Sequence, residues 1–145
     1  MKKLLYLKDD DLKQYIEKIF IGYRETVSDA RNVLNKYSLG IAHNKAIHLI
    51  SLYEGITISD LLKKLKVTKQ SLNRVLKDLI NLKAIKFKKD QIDTRIKHVY
   101  LTENGKKLFE EIFTAQKRRI YEAFSNSEAN EVVSFDNVLK KIING

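Results

Sequence analysis

The sequence predicts a mainly α-helical domain with one small β-hairpin, the winged helix-turn-helix arrangement, extended by long helices at both ends. Three observations predict it. Apolar residues recur at three- and four-residue spacing through most of the chain, as amphipathic helices require. Two helices, about 57–65 and 68–82, are separated only by Lys66-Val67 and are each opened by a threonine in capping position. Two alternating runs then follow, Ile85 with Phe87 and Val99 with Leu101, on either side of a polar loop. Two helices joined by a short turn and followed by a hairpin make a winged helix.

From the amino end, Asp9, Asp10 and Asp11 supply an N-cap and negative charge at the positive end of a helix dipole. Leu12, Tyr15, Ile16, Ile19, Phe20, Tyr23, Val27, Ala30, Leu34 and Tyr37 then trace one apolar stripe, which predicts a single helix of about 28 residues with a weak point at Gly22. Such a helix is long for a chain of 145 residues and reaches toward a partner. Ser38-Leu39-Gly40 breaks it, and a second helix covers about 41–54. Thr57 with Asp60 opens the third helix, and Thr68 caps the fourth. In the fourth, Leu72, Val75, Leu76, Leu79 and Ile80 form an apolar stripe opposite Lys69, Gln70, Asn73, Arg74 and Lys77. After the hairpin, Thr102 caps a helix to about Phe124, and a last helix runs from Ser127 to about Ile143. No repeat, low-complexity tract or linker interrupts the chain, so it reads as one domain: a winged helix at about 40–101 flanked by helices at about 9–37 and 102–143.

Composition narrows the function. There is no cysteine, which excludes disulfides, thiolate metal sites and thiol redox sensing. His43 and His48 are five residues apart and do not share a helix face, so no metal site is expected, and no cofactor. The stretch MKKLLYLKDDD is interrupted too soon for a signal peptide, and no apolar run approaches the ~20 residues of a membrane span. An intracellular, cytoplasmic protein is expected. The net charge of +10 is concentrated: residues 63–98 carry twelve basic and three acidic side chains, whereas the flanking segments are close to neutral. A generally lysine-rich composition would raise the charge everywhere. A local basic surface on a helix-turn-helix and hairpin points to nucleic acid, ahead of an anionic membrane. No Gly-rich phosphate loop, Ser/His/Asp arrangement or paired carboxylates suggest an enzyme.

The hairpin carries a more specific signal. Asp93-Thr94-Arg95 followed by Val99-Tyr100-Leu101-Thr102-Glu103-Asn104-Gly105 resembles the D-x-R and L-T-x-x-G pattern of the MarR family of bacterial transcription regulators, and the order of helices agrees along nearly the whole chain. Within that family, LGIAHNKAIHLI and LKVTKQSLNRVLKDLI are similar to the PetP-type subgroup. Two departures stand out. Lys83 occupies the place of a glycine usual at the end of the recognition helix, so the helix is expected to close through Asn81 in a left-handed conformation. Ile41 and Asn44 stand where the subgroup pattern has an arginine and a second histidine.

The resemblance implies a homodimer with interlocked terminal helices, recognition helices in successive major grooves of double-stranded DNA, and wings in flanking minor grooves. It implies a sequence-specific regulator binding a pseudo-palindromic operator. Under that docking, Thr68, Lys69, Gln70, Ser71, Asn73, Arg74 and Lys77 face the DNA from the helix. Gln70 suits adenine, Arg74 guanine, and Lys69 or Ser71 a phosphate. Lys88, Lys89, Asp93, Arg95 and Lys97 face it from the wing. Arg95 suits the negative potential of a narrow minor groove. Asp93, two positions away on an extended chain, lies on the same side and holds the guanidinium. The competing reading of this pair is an exposed ion pair that only stiffens the loop. The competing function is a winged-helix protein that packages nucleic acid without sequence preference. Many family members bind small, often aromatic, anions between the dimer helices and the winged domain. Tyr23, His43 and His48 are the candidates for such an effector pocket, against the plainer reading of both histidines as packed, hydrogen-bonded side chains.

Overall fold

The computed structural model describes residues 7–145. Residues 1–6, the first part of the stretch that lacks signal-peptide character, lie outside the described residues. Ten elements follow in order: α1 (Asp9–Ser28), α2 (Arg31–Lys36), α3 (Ile41–Leu52), β1 (Ile56–Thr57), α4 (Ile58–Leu65), α5 (Lys69–Asn81), β2 (Ile85–Lys89), β3 (Lys97–Leu101), α6 (Glu103–Ser125) and α7 (Ala129–Asn144). The helix-turn-helix is α4–α5 and the wing is the β2–β3 hairpin.

The threonine caps read from sequence are formed. Thr57 Oγ1 accepts the Asp60 N–H at 3.1 Å, and Thr68 Oγ1 accepts the Ser71 N–H at 3.1 Å. Each satisfies an amide that a helix start would otherwise leave open. Between them the chain turns at Lys66, whose φ of 52° is left-handed. Leu72, Val75, Leu76 and Leu79 of α5 are buried against Ile47 and Ile50 of α3, Leu61 of α4 and Val99 of β3. Ile80, expected in the same stripe, is exposed. It lies about 80° round the helix from Leu72, at the edge of the buried face.

The sheet has the order β1-β3-β2, antiparallel throughout. Ile85 pairs with Leu101 and Phe87 with Val99, which sets the alternation of the hairpin: Val99 faces the core and its neighbour His98 the other side. The two-residue β1, pairing Ile56 with Val99 and Thr57 with His98, is too short to show any alternation and is invisible in the sequence pattern.

Four expectations are corrected. The first helix is not continuous to Tyr37, and Gly22 does not break it. The break falls at Asp29-Ala30, where Arg119 of α6 donates to both carboxylate oxygens of Asp29 (2.6 and 3.0 Å) and Ala30 is wholly buried. The three aspartates occupy the first turn of α1, where they favour its dipole, but the N-cap is Lys8 and no side chain caps it. The last helix begins at Ala129, because Glu128 takes the cap position and its N–H donates to Glu131 Oε1 at 2.9 Å. Finally, Asn81 stays helical, and Lys83 itself takes the left-handed conformation with φ 57°. Its N–H donates to the Ile80 carbonyl and the Ala84 N–H to that of Leu79, closing the helix as a glycine would.

The junction after α5 explains the Thr102 and Gly105 of the sequence motif. Thr102 donates its N–H to the Ala84 carbonyl at 3.0 Å and its hydroxyl to the Lys83 carbonyl, while Oγ1 accepts the Gly105 N–H at 3.0 Å. Gly105 is buried so closely that an added Cβ would lie 1.9 Å from the Ala84 carbonyl oxygen. Gly105→Ala is therefore expected to destabilise the fold by about 1–3 kcal/mol, as other overpacking changes do, in urea unfolding followed by circular dichroism. Lys83→Gly should act in the opposite direction, adding roughly 0.5–1 kcal/mol by relieving a left-handed side-chain residue. Unfolding midpoints that do not move apart would contradict this account of the junction.

Candidate nucleic-acid interface

Helix α5 turns its apolar stripe to the core and leaves Lys69, Gln70, Ser71, Asn73, Arg74 and Lys77 exposed on the other side, with Thr68 exposed at its start. Thr68 Oγ1 also donates to Ser71 Oγ at 2.8 Å, so these two hydroxyls are already engaged with each other. Among the described residues, Lys69, Arg74 and Lys77 make no ion pair, so this face carries uncompensated positive charge.

In the wing, Lys88, Lys89 and Lys97 are exposed on the strands. Lys88 Nζ stands 4.9 Å from the centre of the Tyr100 ring and Lys97 Nζ 5.7 Å from that of Phe87. Arg95 lies at the tip with its side chain 89% exposed. Its Nε and Nη2 each donate to an oxygen of Asp93 at 3.0 Å, and its backbone N–H donates to Asp93 Oδ1 at 3.1 Å. The expected route to this pairing needs correction. Residues 91–95 are not extended: Asp93 caps a local turn and brings its own carboxylate to the arginine two residues on. Those bonds hold Asp93 below the ordinary carboxylate range and Arg95 above its ordinary value. Beside them Ile92 is almost entirely exposed, at 96%.

The sequence reading missed the group that ties this tip to the domain. His98 Nδ1 is 2.8 Å from the Gly55 carbonyl oxygen, and its Nε2 is 2.8 Å from Asp90 Oδ1. The other oxygen of Asp90 accepts the N–H groups of Ile92 (3.1 Å) and Asp93 (3.0 Å). Gly55 has φ 82°, and Tyr100 packs against it where a side chain would stand. Asp90 is held at about 2 by the His98 hydrogen bond and the two amides, and the His98 imidazole is raised by Asp90 and then Gly55. The only signal in the sequence was alternation, which placed His98 away from the core face.

The three effector-pocket candidates are not brought together. Tyr23 and His48 line an apolar cavity of about 720 Å³ between α1, α3 and α6, alongside Ile41, Phe113, Ile120 and Phe124. His43 lies outside it. Its Nδ1 accepts the Gly40 N–H at 3.0 Å and its Nε2 is 2.9 Å from Asp78 Oδ2, so it caps α3 and braces it to α5. Asn44, one of the two departures from the subgroup pattern, is buried at the cavity wall: it donates to Gln116, which donates to the Thr26 carbonyl. Its Oδ1 is buried without a partner.

A basic recognition helix and a basic hairpin on one small helical domain define a winged helix-turn-helix protein. No family model matches the chain. It is similar to the HTH-type transcriptional regulator PetP of Rhodobacter capsulatus, 37% identical over 140 residues, covering 97% of this chain and 84% of that protein. Its fold is similar to S. aureus MepR in the DNA-binding conformation, with TM-score 0.81 and 22% identity over 90% of this chain and 96% of that one. It is likewise similar to wild-type apo MarR from E. coli, with TM-score 0.66 and 24% identity over 87% of this chain and 94% of that one. The chain belongs to the MarR family of HTH-type transcriptional regulators.

Proposed function

We propose that the protein works as a homodimer on a pseudo-palindromic operator, reading bases through α5 and flanking minor grooves through the wing. The observation that carries this reading is the charge: the exposed side of α5 and the hairpin bear the cations, and residues 63–98 hold nine of the ten net positive charges (twelve basic less three acidic). In this reading Gln70 and Arg74 contact base edges, Lys69, Ser71 and the strand lysines contact phosphates, and Arg95 enters the minor groove with Asp93 as its support. The unit at about 40–101 binds DNA, and the helices at about 9–37 and 102–143 dimerise. No catalysis is involved, and the protein acts in the cytoplasm, where its DNA is. Among the described residues, no helix is long and apolar enough to cross a membrane. A small-molecule effector would occupy the cavity lined by Tyr23 and His48 and shift the two halves of the dimer; His43 would act on it only through α3.

Dimerisation has its own support. Neither α1 nor α7 contains a buried residue, yet Tyr15, Ile16, Ile19 and Phe20 of α1 and Val133, Val138, Ile142 and Ile143 of α7 are exposed large apolar side chains. Faces of that extent on a small chain mark an interface. Sedimentation equilibrium at micromolar concentration without DNA is expected to give a dimer; a monomer would remove the basis for paired half-sites.

The DNA reading is tested on a duplex selected by the protein itself from a randomised pool, titrated at several salt concentrations. Arg95→Ala should weaken binding about ten- to a hundredfold, most at A/T-rich flanks, and flatten the slope of log affinity against log salt by roughly 1–2 units per dimer. Gln70→Ala should relax preference at defined base pairs with little change in slope. Binding that survives scrambling of the selected site would favour the packaging function instead. An Arg95→Ala variant as tight as the parent at every salt concentration would reduce Asp93–Arg95 to a loop brace.

A further inference from the structure

We infer that His98 is a positioning residue for DNA binding: as an imidazolium bridging Gly55 and Asp90, it fixes the wing tip that carries Arg95, and raising pH releases that tip. The inference rests on the proposed role of the wing in DNA contact.

Hydrogen-bond stoichiometry carries it. Both neighbours of the His98 ring are acceptors, a backbone carbonyl and a carboxylate, each at 2.8 Å. A neutral imidazole has one N–H and satisfies one of them; only the doubly protonated ring satisfies both. The bridge is also the structural tie between two separate parts of the protein. Gly55 belongs to the turn before β1, 43 residues from His98, and Asp90 to the hairpin loop. Asp90 then passes the constraint forward by holding the N–H groups of Ile92 and Asp93 with its second oxygen. Asp93 in turn grips both the backbone and the guanidinium of Arg95. Three side chains thus run from the turn before β1 to the tip of the wing.

The charges around the ring leave Asp90 as its partner. Helices α3, α4 and α6 pack on the face of β3 that carries Val99, away from the ring. On β2, Lys88 is the residue opposite His98, and it is drawn onto the Tyr100 ring; Lys97, adjacent on β3, is drawn onto that of Phe87. On β1 the opposite residue is Thr57, whose hydroxyl is occupied with the Asp60 N–H; Glu54 precedes Gly55 and is exposed. In the loop Arg95 is closed onto Asp93. Among the described residues, no charge other than Asp90 is in hydrogen-bond contact with the imidazole.

The sign follows from the direction of each shift. His98 is raised above its ordinary 6.5, so the bridge is complete below that pH and is lost as pH rises through the raised value. Asp90, held at about 2, loses its charge only in strong acid and stays ionised across the neutral range.

Binding to the selected duplex is measured at constant ionic strength from about pH 6 to about pH 8.5, a range in which histidine titrates and phosphodiesters do not. The parent should weaken roughly three- to tenfold across it. His98→Gln and Asp90→Asn, which cannot titrate there as a pair, should bind more weakly at pH 6 and lose most of that dependence, with circular dichroism showing the fold retained. Profiles parallel to the parent's in both variants would overturn the inference. A second readout needs no DNA: in the free protein the Ile92 and Asp93 amide resonances should move with the His98 titration in the parent and not in Asp90→Asn. Amides that ignore the titration would overturn the positioning role even with the DNA reading intact. An Arg95→Ala variant as tight as the parent, beside amides that do titrate, would instead remove the wing tip from DNA contact, and with it the role of His98 in binding, and leave the His98 bridge standing.

Discussion

The clasp of Thr102 on Lys83 and Ala84 is the contact on which the architecture turns. Four elements end or begin within it: α5 closes at Lys83, β2 leaves from Ala84, β3 arrives at Leu101, and α6 starts under the Thr102 cap. One threonine joins all four, through a donated hydroxyl, a donated amide and an accepted amide, and this is possible only because Gly105 lets the α6 backbone touch the Ala84 carbonyl. The recognition helix is therefore fastened to the first turn of the long helix that leads out of the domain. In a dimer built on the terminal helices, the separation and tilt of two α5 helices would be set through this joint. A DNA reader with paired half-sites needs that rigidity, since a tilt at the joint is amplified along α6.

The basic segment is organised as carefully by its acids as by its cations. Residues 63–98 contain three acidic side chains, and each is consumed by a partner: Asp78 by His43, Asp90 by His98, Asp93 by Arg95. None is left to neutralise the exposed face of α5. Two of these pairs use histidine, and both brace an element of the basic surface against the rest of the domain. The first ties α3 to α5 and the second ties the turn before β1 to the wing. Charge on this surface thus does two jobs, with acids and histidines setting geometry while Arg74 and the lysines of α5 make no ion pair among the described residues.

What was legible in the sequence was local. Thr57, Thr68 and Thr102 announce helix starts because a capping hydroxyl bonds an amide three residues on, a relation contained within a few residues. The α5 stripe and the hairpin alternation are legible for the same reason, periodicity being a property of one segment. What was hidden depends on distant partners. Arg119 decides where α1 ends by binding Asp29, 90 residues away, and the helical stripe through Val27, Ala30 and Leu34 gives no hint of it. His98 looks like one more polar residue in an alternating strand until the sheet brings Gly55 beside it. Of the candidate site, the residue types, their faces and the pairing of Asp93 with Arg95 were readable, whereas the longer-range braces through His43 and His98 were not. The sequence left His43 between an effector pocket and a packed, hydrogen-bonded place, because its partner, Asp78, lies on another helix.

The terminal helices supply the last constraint. Beside the core that Leu34 of α2 shares with Leu108 and Ile112, α6 is held to α1 and α2 by polar side chains: Arg119 clamps Asp29, and Glu111 accepts the Tyr37 hydroxyl at 2.6 Å and the Lys36 ammonium at 3.2 Å. These bonds lower the pKa of Asp29 and Glu111, chiefly through Arg119 and Tyr37 respectively. They are exposed, and exposed ion pairs contribute modestly and are screened by salt. In the proposed dimer, the apolar faces of α1 and α7 would gain their burial from a second copy, next to the cavity between α1, α3 and α6. In such a dimer, folding of the ends, pairing of the half-sites and the shape of that cavity would be one equilibrium. A molecule seated beside Tyr23 and His48 would act on all three at once, since α6 runs from the cavity wall at Phe113 and Ile120 directly back to the Thr102 clasp beneath the recognition helix.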